Sequence, residues 1–311
     1  MITVLLPSPS LDVTYLVDGV TVGAIHRPRE VLRLPGGKGL NLARAARRLG
    51  AEVRVVAPLG GRIGDLVEQL AIAAGVAVTR VATESETRSC VTVAADSGPE
   101  SGGGLTEFYE PSASLGETAV DAIAAALDAL DESVGWTVLA GSVPSGLEPG
   151  VLLGMLRARA AAGDRIAIDT HGPSLAIIDE LRPDLVKVNR FEASELLGAG
   201  QGVDALELAT ALRERTGGTV VVTDGADGAV ATNATGSWRA LPGEHTGAYP
   251  VGSGDSFLAG LIVALDRDAS LPTALADATA AGAANAQQPG AAEFALPTYD
   301  EIRSRTRVVN A

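Results

Sequence analysis

"GTVVVTDG", residues 218–225, decides the fold class. Three consecutive valines, Val220-Val221-Val222, leave no polar face on the strand they form. A strand apolar on both faces belongs to a parallel sheet covered on both sides by helices. Helix 203–215 precedes it, and the same rhythm runs backwards along the chain. A short helix precedes strand "DLVKVN", helix 149–162 precedes strand "RIAID", and helix 116–130 precedes strand "WTVLAGS". Further upstream, a strand at 2–7, the helix-like "GKGLNLARAARRLG", the strand "AEVRVVAPLG" and the helix "GDLVEQLAIAAG" repeat the pattern. After 252 the chain reads as mostly helical, over 253–266 and the alanine-rich 271–287. This is an α/β chain with a mostly parallel central sheet.

Two stretches break the rhythm. Residues 11–35 and 88–112 alternate in the manner of exposed strands. They are expected to form a small β-sheet inserted into a single domain spanning 1–311, either as a lid or as plain surface hairpins. Segment 96–104, "DSGPESGGG", reads as a flexible loop.

With 311 residues, 46% of them apolar, the chain can bury one large core. A formal charge of −14 argues against a nucleic-acid or membrane-surface partner. It leaves room for a local basic pocket. The lone Cys90 excludes an internal disulfide framework, and His26, His171 and His245 lie too far apart to suggest zinc. No apolar run approaches the ~20 residues of a membrane span, and the N-terminus reads as a strand, so the expected compartment is the cytoplasm.

Four stretches carry candidate chemistry. In "LPGGKGLN", 34–41, Gly36 and Gly37 permit close backbone approach. The helix start there offers free amides, Lys38 adds charge, and Asn41 lies one turn on. In "VKVNRFEASELLG", 186–198, Lys187 and Asn189 end a strand, where ligands of doubly wound sheets bind. Glu192 opens the next helix, either as dipole compensation or as a holder of hydrated magnesium. In "VVVTDGADGA", 220–229, Thr223 and Gly225 form either a phosphate-presenting turn or a tight hairpin.

The fourth stretch is "YPVGSGDSFLAGLI", 249–262. Gly252, Ser253 and Gly254 at a helix start make an amide pocket for developing negative charge, and Asp255 beside it can accept a proton. A hydrolase reading of Ser256 fails, because the last histidine, His245, lies upstream and the motif order is wrong.

Taken together, GGKGxN, "GSVPSG" (141–146), K-x-N-x-x-E and G-x-G-D occur in an order that resembles the phosphofructokinase-B family, the ribokinase-like carbohydrate kinases. The resemblance spans the chain. It implies a three-layer α/β/α sandwich with a small β-sheet lid, a sugar held between lid and sheet, and ATP along the strand ends. It implies Asp255 as catalytic base, with the amides of Gly252, Ser253 and Gly254 as the anion hole. It places Asp12, Gly36, Gly37, Lys38, Asn41 and Ser142 at the sugar. Lys187, Asn189, Thr223, Gly225 and Asn285 fall on the nucleotide side. Asn189 and Glu192 would order magnesium (Mg2+) through water.

"ETRSCVTV", 86–93, resembles the 1-phosphofructokinase and tagatose-6-phosphate kinase branch. There Arg88, helped by Arg27 and Lys38, would face a phosphate already on the substrate. Pairing of Arg27 and Arg88 with Glu86 or Glu107 is the plain alternative. The expected reaction is phosphoryl transfer from ATP to a primary hydroxyl of a ketohexose phosphate. Fructose 1-phosphate leads, ahead of tagatose 6-phosphate and fructose 6-phosphate. A kinase of an unphosphorylated sugar or nucleoside, and a non-catalytic binding module, are the rival readings. Tyr249-Pro250 replaces the polar pair that helps form a monovalent-cation site in some members, so that site is not carried over. Val188 stands for the usual proline of K-P-N, and Asp224 puts a carboxylate beside the phosphate turn. Exposed lid strands predict a homodimer.

Overall fold

The computed structural model describes residues 1–95, 104–130, 135–200, 202–241, 243 and 247–311. The chain opens with β1 (Ile2–Leu5), β2 (Ser10–Val17), β3 (Glu30–Gly36), α1 (Lys38–Arg48), β4 (Val53–Gly60), α2 (Gly61–Ala73) and β5 (Ala77–Thr83). Next come β6 (Arg88–Ala95), β7 (Leu105–Tyr109), α3 (Glu117–Asp128), β8 (Trp136–Ala140), α4 (Pro149–Ala161), β9 (Arg165–Asp169) and the single-turn α5 (Ile178–Leu181). Then follow β10 (Leu185–Asn189), α6 (Arg190–Leu197), α7 (Ala205–Thr216), β11 (Thr219–Thr223), β12 (Ala229–Asn233) and β13 (Gly236–Leu241). The chain closes with α8 (Ser253–Asp266), α9 (Leu271–Asn285), α10 (Leu296–Arg305) and β14 (Arg307–Asn310).

The strands form a ten-stranded sheet, in the order β14-β13-β12-β11-β10-β9-β8-β1-β4-β5, and a separate four-stranded sheet, β3-β2-β6-β7. From β5 to β11 all neighbours are parallel, whereas β12, β13 and β14 add on antiparallel. Apolar side chains alternate between the two faces, as the two-residue period of a strand requires. Val221 joins the core under α1, α8 and α9, while Val220 and Val222 join the opposite core under α3, α4 and α7. The result is a three-layer α/β/α sandwich.

The antiparallel rim departs from the expected parallel sheet. The turn after β11 is a hairpin into β12, so the bland reading of 220–229 holds for its backbone. A final strand, β14, ends the region expected to be helical, pairing with β13. The expected loop 96–104 falls, but for Gly104, outside the described residues, as does His245.

Strand order reverses at β1, which lies between β4 and β8. In doubly wound sheets such a switch point opens a crevice at the carboxyl ends of the strands. The four-stranded sheet comes from the two stretches that broke the rhythm, after β1 and after β5. Its β2 pairs antiparallel with β3 and parallel with β6, and β6 pairs antiparallel with β7.

Candidate active site

A cavity of about 630 Å³ lies between the strand ends and the four-stranded sheet. Alternation explains which side chains reach it. Ser10, Asp12 and Thr14 of β2, Arg88, Cys90 and Thr92 of β6, and Leu105, Glu107 and Tyr109 of β7 all line it, two residues apart on one face. From the large sheet come Ser142 after β8, His171 after β9, Lys187 and Asn189 of β10, Thr223 at the end of β11 and Gly225 just beyond it. Gly252, Ser253, Gly254 and Asp255 close the floor at the start of α8.

Most of the residues singled out from sequence converge here. Three do not. Gly36 supports the wall from behind: a Cβ there would lie 2.0 Å from Asp12 Cγ, so only glycine leaves room for that carboxylate. Arg27 lies exposed between β2 and β3 and lines no part of the cavity within this chain, so the three-cation pocket is not assembled by one copy. Asn285 is fully buried behind the wall and lines neither this cavity nor its neighbour. Its Nδ2 donates to the Val251 carbonyl (2.8 Å) and Ser253 Oγ (3.0 Å), and its Oδ1 accepts from the Ala292 amide (2.6 Å). Asn285 pins the glycine turn, and its side chain reaches neither cavity.

The turn itself is built for an anion. Gly252 adopts φ +80°, the left-handed region that favours glycine, and a Cβ there would meet Ala291 at 2.5 Å. The Ser253 amide turns back onto the Pro250 carbonyl (3.0 Å), which removes it from the expected anion hole. The amides of Gly252, Gly254 and Asp255 keep no hydrogen-bond partner among the described residues. They sit at the positive end of a 14-residue helix. Lys187 Nζ stands 2.9 Å from where a Gly254 Cβ would be, so its ammonium faces the same cradle. Ser256 is fully buried, donates to Asn285 Oδ1 (3.4 Å), and offers no nucleophile.

Asp255 is buried and accepts from Asn41 Nδ2 (2.9 Å). Burial, reinforced by the negative charge of Asp169, pushes its carboxyl up to about 6, against the pull of Lys38, Lys187 and the Asn41 hydrogen bond. A base poised there is ionised at neutral pH yet remains basic enough to take a proton. Burial also raises the Asp12 carboxyl, with Ser10 Oγ donating to it at 2.6 Å.

Asp169, at the end of β9, escapes sequence reading. It accepts from Lys38 Nζ (2.7 Å) and Lys187 Nζ (3.0 Å). Burial alone would raise the Asp169 carboxyl, and the two ammonium groups outweigh it and hold it below the usual range. Lys38 also lies 3.6 Å from Glu192. Burial alone would lower Lys38, but Asp169, Glu192 and Asp255 hold it above the usual lysine range. Lys38 therefore belongs to this charge cluster beside Asp255 and is not a free cation for a distant phosphate. Arg88 instead donates to the Glu110 carbonyl (3.0 Å), pairs with no carboxylate among the described residues, and leaves its buried Nε unpartnered.

Asn189 and Glu192 form a reciprocal cap on α6. The Asn189 side chain accepts from the Glu192 amide and Glu192 Oε2 from the Asn189 amide, each at 2.8 Å. No group of three or more His, Cys, Asp or Glu among the described residues gathers around a common metal point. This donor set fits a magnesium ion held chiefly by phosphate oxygens and water, which is that ion's usual arrangement beside nucleotides. Asp224 pairs with Arg190 (2.8 Å), so the carboxylate in the turn after β11 is neutralised.

A second cavity, of about 240 Å³, adjoins the first across Thr223, Gly225, Pro250, Ser253 and Gly254. Ala226, Phe257, Ala283 and Ala286 give it apolar walls. A flat apolar ring fits such a slot.

Known proteins resemble the chain over its whole length. A model of the pfkB family of carbohydrate kinases matches residues 9–299. The tagatose-6-phosphate kinase of Staphylococcus epidermidis is 26% identical over 99% of this chain and 99% of its own length. Phosphofructokinase-2 of Escherichia coli, solved in complex with potassium, superposes with a TM-score of 0.89 at 26% identity, covering 98% of each chain. A possible 1-phosphofructokinase from Thermotoga maritima shares the fold at a TM-score of 0.81 and 20% identity, over 100% of this chain and 99% of its own.

Proposed function

Because the chain belongs to the pfkB family of carbohydrate kinases, we propose that it transfers the γ-phosphoryl group of ATP to a primary hydroxyl of a ketohexose phosphate. The observation that carries this reading is Asp255. Its buried, raised carboxyl stands at the mouth of a three-amide cradle, with Lys187 beside it. Phosphoryl transfer asks for an aligned hydroxyl, a base, and positive charge around the moving group. Asp255 takes the hydroxyl proton. The amides of Gly252, Gly254 and Asp255 and the ammonium of Lys187 face the charge on the transferring phosphoryl. Magnesium, ordered through water by Glu192 and Asn189, would supply further charge compensation on the phosphates. Thr223 and Gly225 border the triphosphate, and the apolar side cavity takes the base.

Asp12, Asn41, Ser142 and the Gly37 backbone line the sugar compartment. Arg88, whose Nε has no partner among the described residues, is the cation assigned to a substrate phosphate. The S. epidermidis relative is named for tagatose 6-phosphate and E. coli phosphofructokinase-2 was solved with fructose 6-phosphate, so both sugars join fructose 1-phosphate as leading candidates. All three carry a primary hydroxyl at the end opposite the phosphate. A homodimer through the four-stranded sheet is part of the proposal, since Phe108 and Tyr109 of its edge strand β7 are exposed. No described helix is long and apolar enough to cross a membrane. ATP as donor supports a cytoplasmic setting.

The test is ADP release over a panel of ketohexose phosphates, free sugars and nucleosides, with Asp255→Asn alongside. The expected result is turnover of a ketohexose phosphate that falls at least ~100-fold in the variant. Better turnover of an unphosphorylated acceptor, or near-normal turnover in the variant, would overturn the reading.

A further inference from the structure

Asn41 meets Asp255 through its Nδ2, and what fixes that orientation lies one helical turn further along α1. Arg44 is buried, and its Nη2 donates to Asn41 Oδ1 at 2.9 Å. A guanidinium has only donors, so the amide oxygen must face Arg44 and the NH2 must face Asp255. Without Arg44 the amide is free to turn its oxygen against the carboxylate. Arg44 is held in turn by Glu293, whose Oε1 accepts from Arg44 Nη1 at 2.7 Å and whose Oε2 accepts from Arg48 Nη2 at 2.5 Å. Arg48 Nε also donates to the Ala292 carbonyl at 3.0 Å.

The segment around Glu293 reaches the amide cradle too. The Ala292 amide donates to Asn285, which holds the Val251 carbonyl and Ser253 Oγ. Ala291 packs against Gly252 so closely that no Cβ would fit. Base and cradle are therefore both indexed to one short segment, 291–293. One arm runs Glu293–Arg44–Asn41–Asp255, and the other runs Ala292–Asn285–Ser253.

We infer that Arg44 and Glu293 are positioning residues for the phosphoryl-transfer site: Glu293 anchors Arg44, Arg44 sets the Asn41 amide, and Asn41 holds Asp255 in register with the amide cradle. The inference rests on the reading of Asp255 as the base. An arginine in the apolar run of α1 would be costly without such a use, since even its Nε is buried and unpartnered. The groups facing Asp255 are Asp169 from β9, Lys38 and Asn41 from α1, and Lys187 from β10. Those facing Arg44 are Glu293, Asp12 and Arg48.

The experiment uses the full chain with ATP, magnesium and whichever of the three ketohexose phosphates turns over fastest. Arg44→Met removes the donors at similar length; should it fold poorly, Glu293→Ala removes the anchor while leaving Arg44 in place, at the cost of the Arg48 ion pair as well. Arg47→Ala is the control, since among the described residues that exposed side chain bonds only the Ala51 carbonyl. Loss of a charge-assisted bond predicts a fall in kcat of about tenfold, with KM for ATP unchanged. Loss of the donated hydrogen bond should move the acid limb of kcat/KM up by about half a pH unit. A carbon-13 carboxyl titration of Asp255, assigned with Asp255→Asn, reads the same shift without substrate. Folded variants with an unmoved limb and wild-type kcat would overturn the inference. If Asp255→Asn is inactive while Glu293→Ala is normal, the relay fails and the base stands. If Asp255→Asn is active, the base reading fails first.

Discussion

Asp255→Asn should stabilise the protein at neutral and alkaline pH while removing turnover. Burial, with Asp169 adding to it, raises this carboxyl from the usual 3.8 to about 6. Well below the usual value of 3.8 both folded and unfolded chains hold the proton, and ionisation costs nothing. As pH rises the unfolded chain loses its proton first, so stability falls between the two values and stays reduced above the folded one. A gap of about 2 units at 1.36 kcal/mol per unit puts the full cost near ~3 kcal/mol at pH 8. At pH 5 the same linkage leaves about 1.6 kcal/mol. Asparagine carries no charge and still offers Asn41 an acceptor. At about 2.1 cal/mol/K of unfolding entropy per residue, the pH 8 figure corresponds to a Tm higher by at most ~5 °C. The gain at pH 5 is about half of that. Differential scanning calorimetry of both proteins without ligands at the two pH values checks this. A variant melting at or below wild type at pH 8, or a gap that does not shrink at pH 5, would refute the placement of an ionised carboxylate at a real desolvation cost.

Arg88→Ala should raise KM for the sugar phosphate at least ~10-fold and leave KM for ATP within about twofold, in keeping with a charge-assisted bond to phosphate. Equal effects on both substrates would remove Arg88 from the phosphate site. Gly36→Ala places a Cβ 2.0 Å from Asp12 Cγ, so the carboxylate must move. Sugar affinity by calorimetry should fall while ATP affinity holds, and an unchanged sugar affinity would mean that Asp12 is not a sugar ligand. Asp169→Asn leaves Lys38 and Lys187 without their shared buried counter-charge, which predicts a loss of about 3–5 kcal/mol in denaturant unfolding. A loss under ~1 kcal/mol would show that water or other carboxylates replace it.

What could be read in the sequence was local. The valine run of β11 announces a strand covered on both faces, and a glycine turn opening into α8 announces an amide cradle. Both signals sit within a dozen residues. The antiparallel rim could not be read, because β12, β13 and β14 owe their direction to neighbours and not to their own composition. The cations of the site were visible but their partners were not: Lys38 finds Asp169, 131 residues away. Asp169 itself left a faint signal, a carboxylate that ends a strand directly after the apolar run Ile166-Ala167-Ile168. Arg44 left another, a charge inside the apolar run of α1 at three residues from Asn41, on the same helical face. Asn285 was placed by its neighbourhood in sequence, since Ala283 and Ala286 do line the apolar cavity while its own side chain turns inward.

The same pairing bears on the metal. A −14 chain with three cations in its pocket suggested a basic site ready for anions. Yet among the described residues the charged side chains lining the cavity are Lys38, Arg88 and Lys187 against Asp12, Glu107, Glu192 and Asp255. Lys38 and Lys187 are already committed to the buried Asp169 behind them. A triphosphate and a sugar phosphate together bring several more negative charges into a space that has no net positive charge to offer. The compensation must enter with the ligand, and a divalent ion on the phosphates is the form in which nucleotides ordinarily carry it. ATP titrated calorimetrically with magnesium present and with a chelator should therefore bind at least ~10-fold more weakly in the second case, a difference of about 1.4 kcal/mol. Equal affinity would mean that the lysines are released from Asp169 on binding, and that the cavity is more basic in its working state than in its resting one.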